Sequence, residues 1–461
     1  MLKNLKFIQN KNNNDNKFNV WKEKLRNNIN SRIVLMVGLL LFGFFLILLT
    51  NNIITNFETG TWLYREARIF PTFPPAGNDF RVGYYRPAHY LIESHFNAIG
   101  PDGTYPSNYP PLVAISALPY AFFGATTAYG IHVIVLILAN LACMLISIWM
   151  VKNFLLVNIG ISDLLINIIS ILLLFIIAIY IFTSYFFLYS LERGNTDILA
   201  LFYCLLAFLI LVKKPNNLWL QVILLSVAVH FKIYPIVLFP ILFFKHGKKL
   251  ILPALIVNLA FLFCLGPNMA WAFLQSMSSG GEGVGIGNAW SNVANHASYS
   301  FSIGLENSDE EYLSTPFFMT WAVTFLVPLL IWGITAIALR LATYTKKNAV
   351  LLFMVSLPLM SLLPTVSMDY KLVIHGTSII LLLGLILKHF FYKFSMFDLT
   401  QVVLLIGLLL MMSRSYAFVD ESIIFIRNKY LWVLLLEIFM VVNIFRNLKI
   451  TDGEDESMMS R

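Results

Sequence analysis

Charge is what this chain has least of. Only 12% of its 461 residues are Asp, Glu, Lys or Arg, about half the share found in soluble domains. Hydrophobic residues make up 58%, and mean hydropathy is +0.75. That excludes a soluble globular protein. Repeated apolar runs of spanning length predict an all-α, polytopic membrane protein instead. Cysteine is scarce too. Cys143, Cys204 and Cys264 all lie inside apolar runs, where they read as small packing residues and say nothing firm about redox compartment. A cleavable leader is not expected, because the first thirty or so residues are polar and basic before any apolar run begins. No tandem repeat stands out, which weakens an inverted-repeat transporter reading. The glycine-rich run SSGGEGVGIGN does not follow a strand in a βαβ unit, so no dinucleotide site is implied. No His/Asp/Glu spacing predicts a metal site.

What is present is an alternation of apolar runs and basic edges. Residues 1–31, rich in Asn and Lys, are expected to form a cytoplasmic tail. Residues 32–450 are expected to form the transmembrane domain, opening with a span over Ile33–Ile54. Lys22, Lys24, Arg26 and Arg32 flank that span on its cytoplasmic side, so the next loop lies outside. Lys213-Lys214, Lys245, Lys248, Lys249 and Lys346-Lys347 then fall on the inner side of later runs, whereas Arg414, Arg427 and Lys429 go against the pattern. The expectation is about twelve spans of roughly 20 residues, with both termini cytoplasmic. Residues 451–461 form an acidic cytoplasmic tail. Two long polar loops, 55–126 and 267–315, are expected outside, and loops of such length usually have a function.

On this topology the outward side collects Asp79, Glu192, Arg193, Asn195, Asp197, Lys232, Tyr234, Asn295, His296, Asp369, Tyr370 and Lys371. Charges near a bilayer are costly and tend to mark function. Any one of them also fits interfacial snorkelling or helix capping. Asp79, in a loop flanked by aromatics, suits a general base, although an Asp after Gly-Asn is also a turn former. Tyr84 and Tyr85 could stack on a sugar face or rest at the interface. Arg193 and Lys232 are the best candidates to hold a phosphate, one as a planar fork and one as a point charge, with Lys371 as a third. Glu192 and Asp197 would orient or neutralise them, and Asn195 or Asp197 could equally cap the next helix. Asn195, Asp197, Tyr234, His296, Asp369 and Tyr370 complete the expected substrate contacts.

Asp79-Phe80 with Tyr84-Tyr85 after it, Tyr109-Pro110-Pro111 closing the loop, the ERGNTD turn at 192–197, HFKIYP at 230–235 and SMDYKL at 367–372 together resemble glycosyltransferase family 87. These are polyprenol-phosphate-dependent membrane enzymes of the GT-C superfamily, related to mannosyltransferases. The likeness runs roughly from Phe57 to Leu387 and is strongest across GNTDILALFYCLLAFLILVKK and HFKIYPIVLFPILFFKHGKK. It implies an inverting hexosyltransferase in the plasma (inner) membrane with its active site facing outward. The donor would be a polyprenyl-phosphate sugar, mannose first, and the acceptor a lipid-linked or cell-envelope glycan. It implies no metal and no cofactor beyond that donor. By position it assigns Asp79 as the first-loop catalytic acid, and Lys232 and Tyr234 as the Lys-x-Tyr-Pro stretch. Many members carry histidine before tyrosine at the late motif, where this chain has Asp369-Tyr370-Lys371. The rival readings are a transporter or flippase of lipid-linked saccharides, which needs no base, and a polysaccharide polymerase or ligase.

Overall fold

The computed structural model describes residues 77–93, 109–156, 163–279, 317–341, 345–363, 369–392, 395–412 and 429–459. Every element among them is helical. The expectations for the tail, for the span over Ile33–Ile54, for Asn295 and His296, and for Arg414 and Arg427 lie outside the described residues.

The first described stretch, α1, covers 78–93. It is α-helical over Asn78–Phe80, π-helical over Arg81–Tyr85 and α-helical again over Arg86–Glu93. Two short helices follow, α2 (Pro111–Ser116) and α3 (Leu118–Ala121). Each has proline in its first turn, where a missing N–H is no loss. The apolar stretch at 111–121 is therefore two helical pieces. Tyr85 pins them, its hydroxyl donating to the Phe123 carbonyl at 2.9 Å.

The bundle proper starts with α4 (Ala125–Met150), which runs on through a π turn at Val151–Leu155. Its buried residues include His132, Leu136, Ala139, Asn140, Cys143 and Ser147, at helical spacing, while Ile134, Leu138, Leu141 and Leu145 are exposed. Both faces are thus largely apolar, and the polar residues lie on the buried one, as in a helix whose other face meets lipid. Next come α5 (Asp163–Thr183), α6 (Tyr185–Arg193), α7 (Asp197–Lys213) and α8 (Leu218–Phe231). A 3₁₀ turn, Tyr234–Leu238, leads into α9 (Phe239–His246), and α10 (Ile251–Leu262) and α11 (Pro267–Ser279) follow. The last elements are α12 (Phe317–Leu341), α13 (Lys346–Leu362), a 3₁₀ stretch at Asp369–Ile374, α14 (His375–Tyr392), α15 (Met396–Met412) and α16 (Lys429–Met459). Every residue of α13 from Asn348 to Leu362 is buried.

Helix contacts in lipid rest on packing and on polar links of about 0.6 kcal/mol each. Examples are Ser147 to Thr377 at 3.1 Å, joining α4 to α14, Asn258 to Ser226 at 3.0 Å and Trp332 to Ser356 at 2.7 Å.

Two expectations can be set beside the described helices. Two described helices, Ala125–Leu155 and Lys371–Phe390, are long and apolar enough to cross a membrane, or three if Tyr234–Leu262 and Pro267–Gln275, bent by 89°, count as one. The described residues leave the count of about twelve unconfirmed; shorter apolar helices such as Leu218–Phe231 and Met396–Leu409 are also present, and several apolar runs break. Ser184 is extended between α5 and α6, prolines open the elements starting at Tyr234 and Phe239, and Gly266 with φ 92° lies in the break between α10 and α11. The loop expected over 267–315 begins as a helix, α11, since Met269 and Phe273 give it a face to bury against Leu91 and Ala114. The tail at 451–461 likewise continues the backbone of α16 as far as Met459.

Candidate active site

Five separate segments converge at one end of α4, α7 and α8. Sequence separation hides this, because Asp79 and Arg193 are 114 residues apart. Arg193 donates from Nη2 to Asp79 Oδ1 at 2.6 Å, and Asn195 Nδ2 donates to Asp79 Oδ2 at 2.9 Å. The carboxylate is held at both oxygens, yet the Asp79 side chain keeps 14% exposure. A carboxylate has about four acceptor positions, so two bonds leave room for an incoming hydroxyl.

Gly194 makes this grip possible. It ends α6 with φ 65°, a left-handed conformation that glycine enters without penalty. The chain reverses there, so the residues on either side both face Asp79. A Cβ on Gly194 would also lie 2.6 Å from the Cβ of Phe80, so the turn and the acid-bearing stretch are in direct contact. Asn195 accepts from the Asp197 N–H at 3.1 Å, which orders the start of α7.

A second cluster lies alongside. Tyr234 donates a short hydrogen bond to Asp197 Oδ1, and Lys232 Nζ is 3.8 Å from Asp197 Oδ2. Lys232 also donates to the Tyr109 hydroxyl at 2.8 Å. Lys371, buried in the 3₁₀ stretch that packs on α6, sits 5.3 Å from the Tyr234 ring and within electrostatic reach of Asp197 and Lys232. Two lysines around one buried carboxylate form a setting suited to an anion. Burial pushes the Tyr84 and Tyr109 phenols up from their ordinary range, and at Tyr109 the pull of Lys232 in the other direction does not win. Neither phenol supplies a base near neutral pH.

An apolar groove of about 390 Å³ opens beside the cluster between α4 and α7. Its walls include Leu138, Ala139, Leu199 and Phe202, and it reaches Tyr84 and His132. Leu138 is exposed on the apolar outer face of α4, so the groove links that face to the polar end.

The chain's matched segment decides the family: the model of glycosyltransferase family 87 matches residues 108–368, more than half of the chain. The chain belongs to glycosyltransferase family 87. It is a membrane glycosyltransferase, and its substrates are a sugar donor and an acceptor. No curated protein matches the chain. Within the matched segment fall Arg193, Asn195, Asp197, Lys232 and Tyr234 of this transferase, whereas Asp79, Tyr84 and Tyr85 precede it and Lys371 follows it.

The structure thus brings together Asp79, Arg193, Asn195, Asp197, Lys232, Tyr234 and Lys371. Arg193 is placed on Asp79, where the sequence suggested a phosphate. Tyr84 is buried against Phe80, Tyr109 and Phe231, with its ring bordering the groove. Tyr85 serves as a tie to Phe123. Asp369 and Tyr370 fall on the 3₁₀ stretch beside α6, and their side chains, like that of Glu192, lie outside the described residues. Tyr109, Tyr120 and His132 were not among the expected site residues. His132 carried a usable signal, an ionisable side chain inside an apolar run.

Proposed function

We propose that this family 87 enzyme transfers a hexose, mannose first, from a polyprenyl-phosphate donor to a hydroxyl of a lipid-linked or envelope glycan, with inversion. The observation that carries this reading is the partly exposed carboxylate of Asp79, held at both oxygens, next to a cluster in which Lys232 and Lys371 surround Asp197.

In this mechanism Asp79 takes the proton of the acceptor hydroxyl. The hydroxyl oxygen forms its bond to the anomeric carbon while the bond from that carbon to the phosphate oxygen breaks. The electron pair leaves with the polyprenyl phosphate. Lys232 and Lys371 stabilise the leaving phosphate, Tyr234 and Asp197 hold the two lysines in place, and Arg193 and Asn195 aim Asp79. Electrostatic stabilisation of the phosphate is the larger contribution, and general base catalysis adds roughly 10²–10⁴-fold. The apolar groove supports a lipid-borne substrate. The same reading keeps the GT-C-type arrangement of about twelve spans in the inner membrane, termini cytoplasmic and site outward, as the basic edges favour.

The test is transfer of radiolabelled sugar from a panel of polyprenyl-phosphate sugars to membrane extract, wild type beside Asp79→Asn. Transfer that disappears in the variant establishes the reaction and names the donor. Transfer that persists at the wild-type rate removes Asp79 from the chemistry.

A further inference from the structure

His132 lies in α4, inside an apolar run, fully buried, and the mechanism above makes no use of it. Its Nε2 is 3.1 Å from the Gly194 carbonyl and its Nδ1 is 3.3 Å from the Tyr120 hydroxyl. A carbonyl can only accept, so the Nε2 atom carries the proton. In that tautomer the Tyr120 hydroxyl donates to Nδ1. The face of the imidazole stacks on Phe80, with centroids 4.7 Å apart and planes 29° apart, and Tyr84 lies 5.6 Å away.

One ring therefore touches both halves of the grip on Asp79. Phe80 is the neighbour of Asp79 in the chain. Gly194 lies between Arg193 and Asn195, the two residues that bond the carboxylate. A second link of the same kind runs from α4 to the end of α6, where the Tyr129 hydroxyl donates to the Leu191 carbonyl at 2.8 Å.

We propose that His132 is a positioning residue for the transfer reaction. By donating to the Gly194 carbonyl and stacking on Phe80, it fixes the turn at 193–195 against the acid-bearing stretch and so sets where the Asp79 carboxylate points. This rests on the reading of Asp79 as the base. A misplacement of about 1 Å at a reacting group can cost 10²-fold in rate, so a residue that only aims the base shows in turnover.

The decisive pair of variants is His132→Gln and His132→Asn. The Gln amide nitrogen overlays Nε2 and keeps a donor for Gly194. The Asn amide nitrogen overlays Nδ1 and cannot reach it. A histidine that merely filled space would be replaced equally well or badly by either. In the full-length protein in detergent, the exposure of Asp79 is read as its rate of labelling by a water-soluble carbodiimide and glycine ethyl ester, measured by peptide mass spectrometry. We expect H132N to be labelled about two- to tenfold faster than wild type, the shift that loss of one neutral hydrogen bond gives, and H132Q to stay near the wild-type rate. With the donor found by the sugar panel, H132N should lose about tenfold or more in kcat while the donor KM stays within about twofold. Wild-type labelling in H132N, or equal labelling in H132N and H132Q, overturns the proposal. If H132N does not fold, Tyr120→Phe decides. It removes only the hydroxyl that holds the tautomer and should raise labelling about twofold; no change there overturns the proposal. Labelling that follows the Gln/Asn contrast without sugar transfer by any of the proteins leaves the positioning role standing and removes the base. Transfer that needs Asp79 but ignores His132 does the reverse.

Discussion

Among the described residues, two Arg–Asp pairs join distant parts of the chain, and they are almost the same length. Arg193 meets Asp79 at 2.6 Å and Arg446 meets Asp398 at 2.7 Å. Their surroundings differ. Asp398 is fully buried, and besides Arg446 it accepts from both the backbone N–H and the hydroxyl of Ser395, at 2.9 and 2.8 Å, sealing the start of α15. Arg446 lies over the Phe397 ring, and nearby Lys388 donates to Asn447 and Asn443 to Gln401. Asp79 accepts two bonds and stays partly exposed, and its chain neighbour Phe80 packs on Tyr84 and His132, which line the groove. The length of an ion pair therefore says little about its use. What separates a staple from a reactive group is whether the carboxylate has acceptor positions and an approach left over.

That contrast can be broken by experiment. The largest effect should come from neutralising each acid. Asp79→Asn should lower sugar transfer by about 10²–10⁴-fold with an unchanged melting temperature in detergent. Asp398→Asn should destabilise by about 3 kcal/mol, as loss of one member of a buried pair does, while the rate per folded molecule holds. Equal losses of stability in the two variants would erase the distinction drawn here.

A smaller effect separates the cations. Lys232→Met and Lys371→Met should each weaken use of the donor by about 10–100-fold in kcat/KM, the range for loss of a charged hydrogen bond. Lys388→Met, at the Asp398 cluster, should leave kcat/KM within about twofold. Arg193→Lys keeps the charge but loses the planar fork that meets a carboxylate, and roughly tenfold lower kcat is expected with donor KM little changed. The smallest effect concerns the groove. Ala139→Phe places a ring in its wall and should raise KM several-fold for long-chain donors and not for a short-chain analogue, since each buried CH₂ is worth about 0.8 kcal/mol. Equal effects on both chain lengths would take the lipid out of the groove.

Much of the helical layout was legible in the sequence. The apolar stretches between the ERGNTD turn and the FKIYP segment emerge as helices Asp197–Lys213 and Leu218–Phe231, because lysines, Asn217 and FKIYP mark their ends. The polar residues of the ERGNTD and FKIYP segments do meet. Their partners were harder to foresee. Arg193 suggests a phosphate ligand in isolation, and only the folded chain shows that the acid 114 residues earlier reaches it first. Tyr109 marked only the close of the first loop and proves to be the partner of Lys232. His132 stood out only as one ionisable residue in an apolar run, and no local window shows the carbonyl one helix away that it meets. Local signals of propensity and charge place elements. Pairings across a hundred residues depend on tertiary packing that no local window contains.

The π-helical stretch at Arg81–Tyr85 sets the phase of α1. A π turn holds one residue more than an α turn, so it acts as a one-residue spacer between Asp79 and the Arg86–Glu93 helix. Removing Val82, which is exposed, would let the stretch relax to α-helix. The acid end would then rotate by about 100° against the rest of α1. Asp79 would swing off the Arg193–Asn195 turn, or Ala88 and Leu91 would leave the core. Among related enzymes, length in this short segment should accordingly vary by whole turns more readily than by single residues.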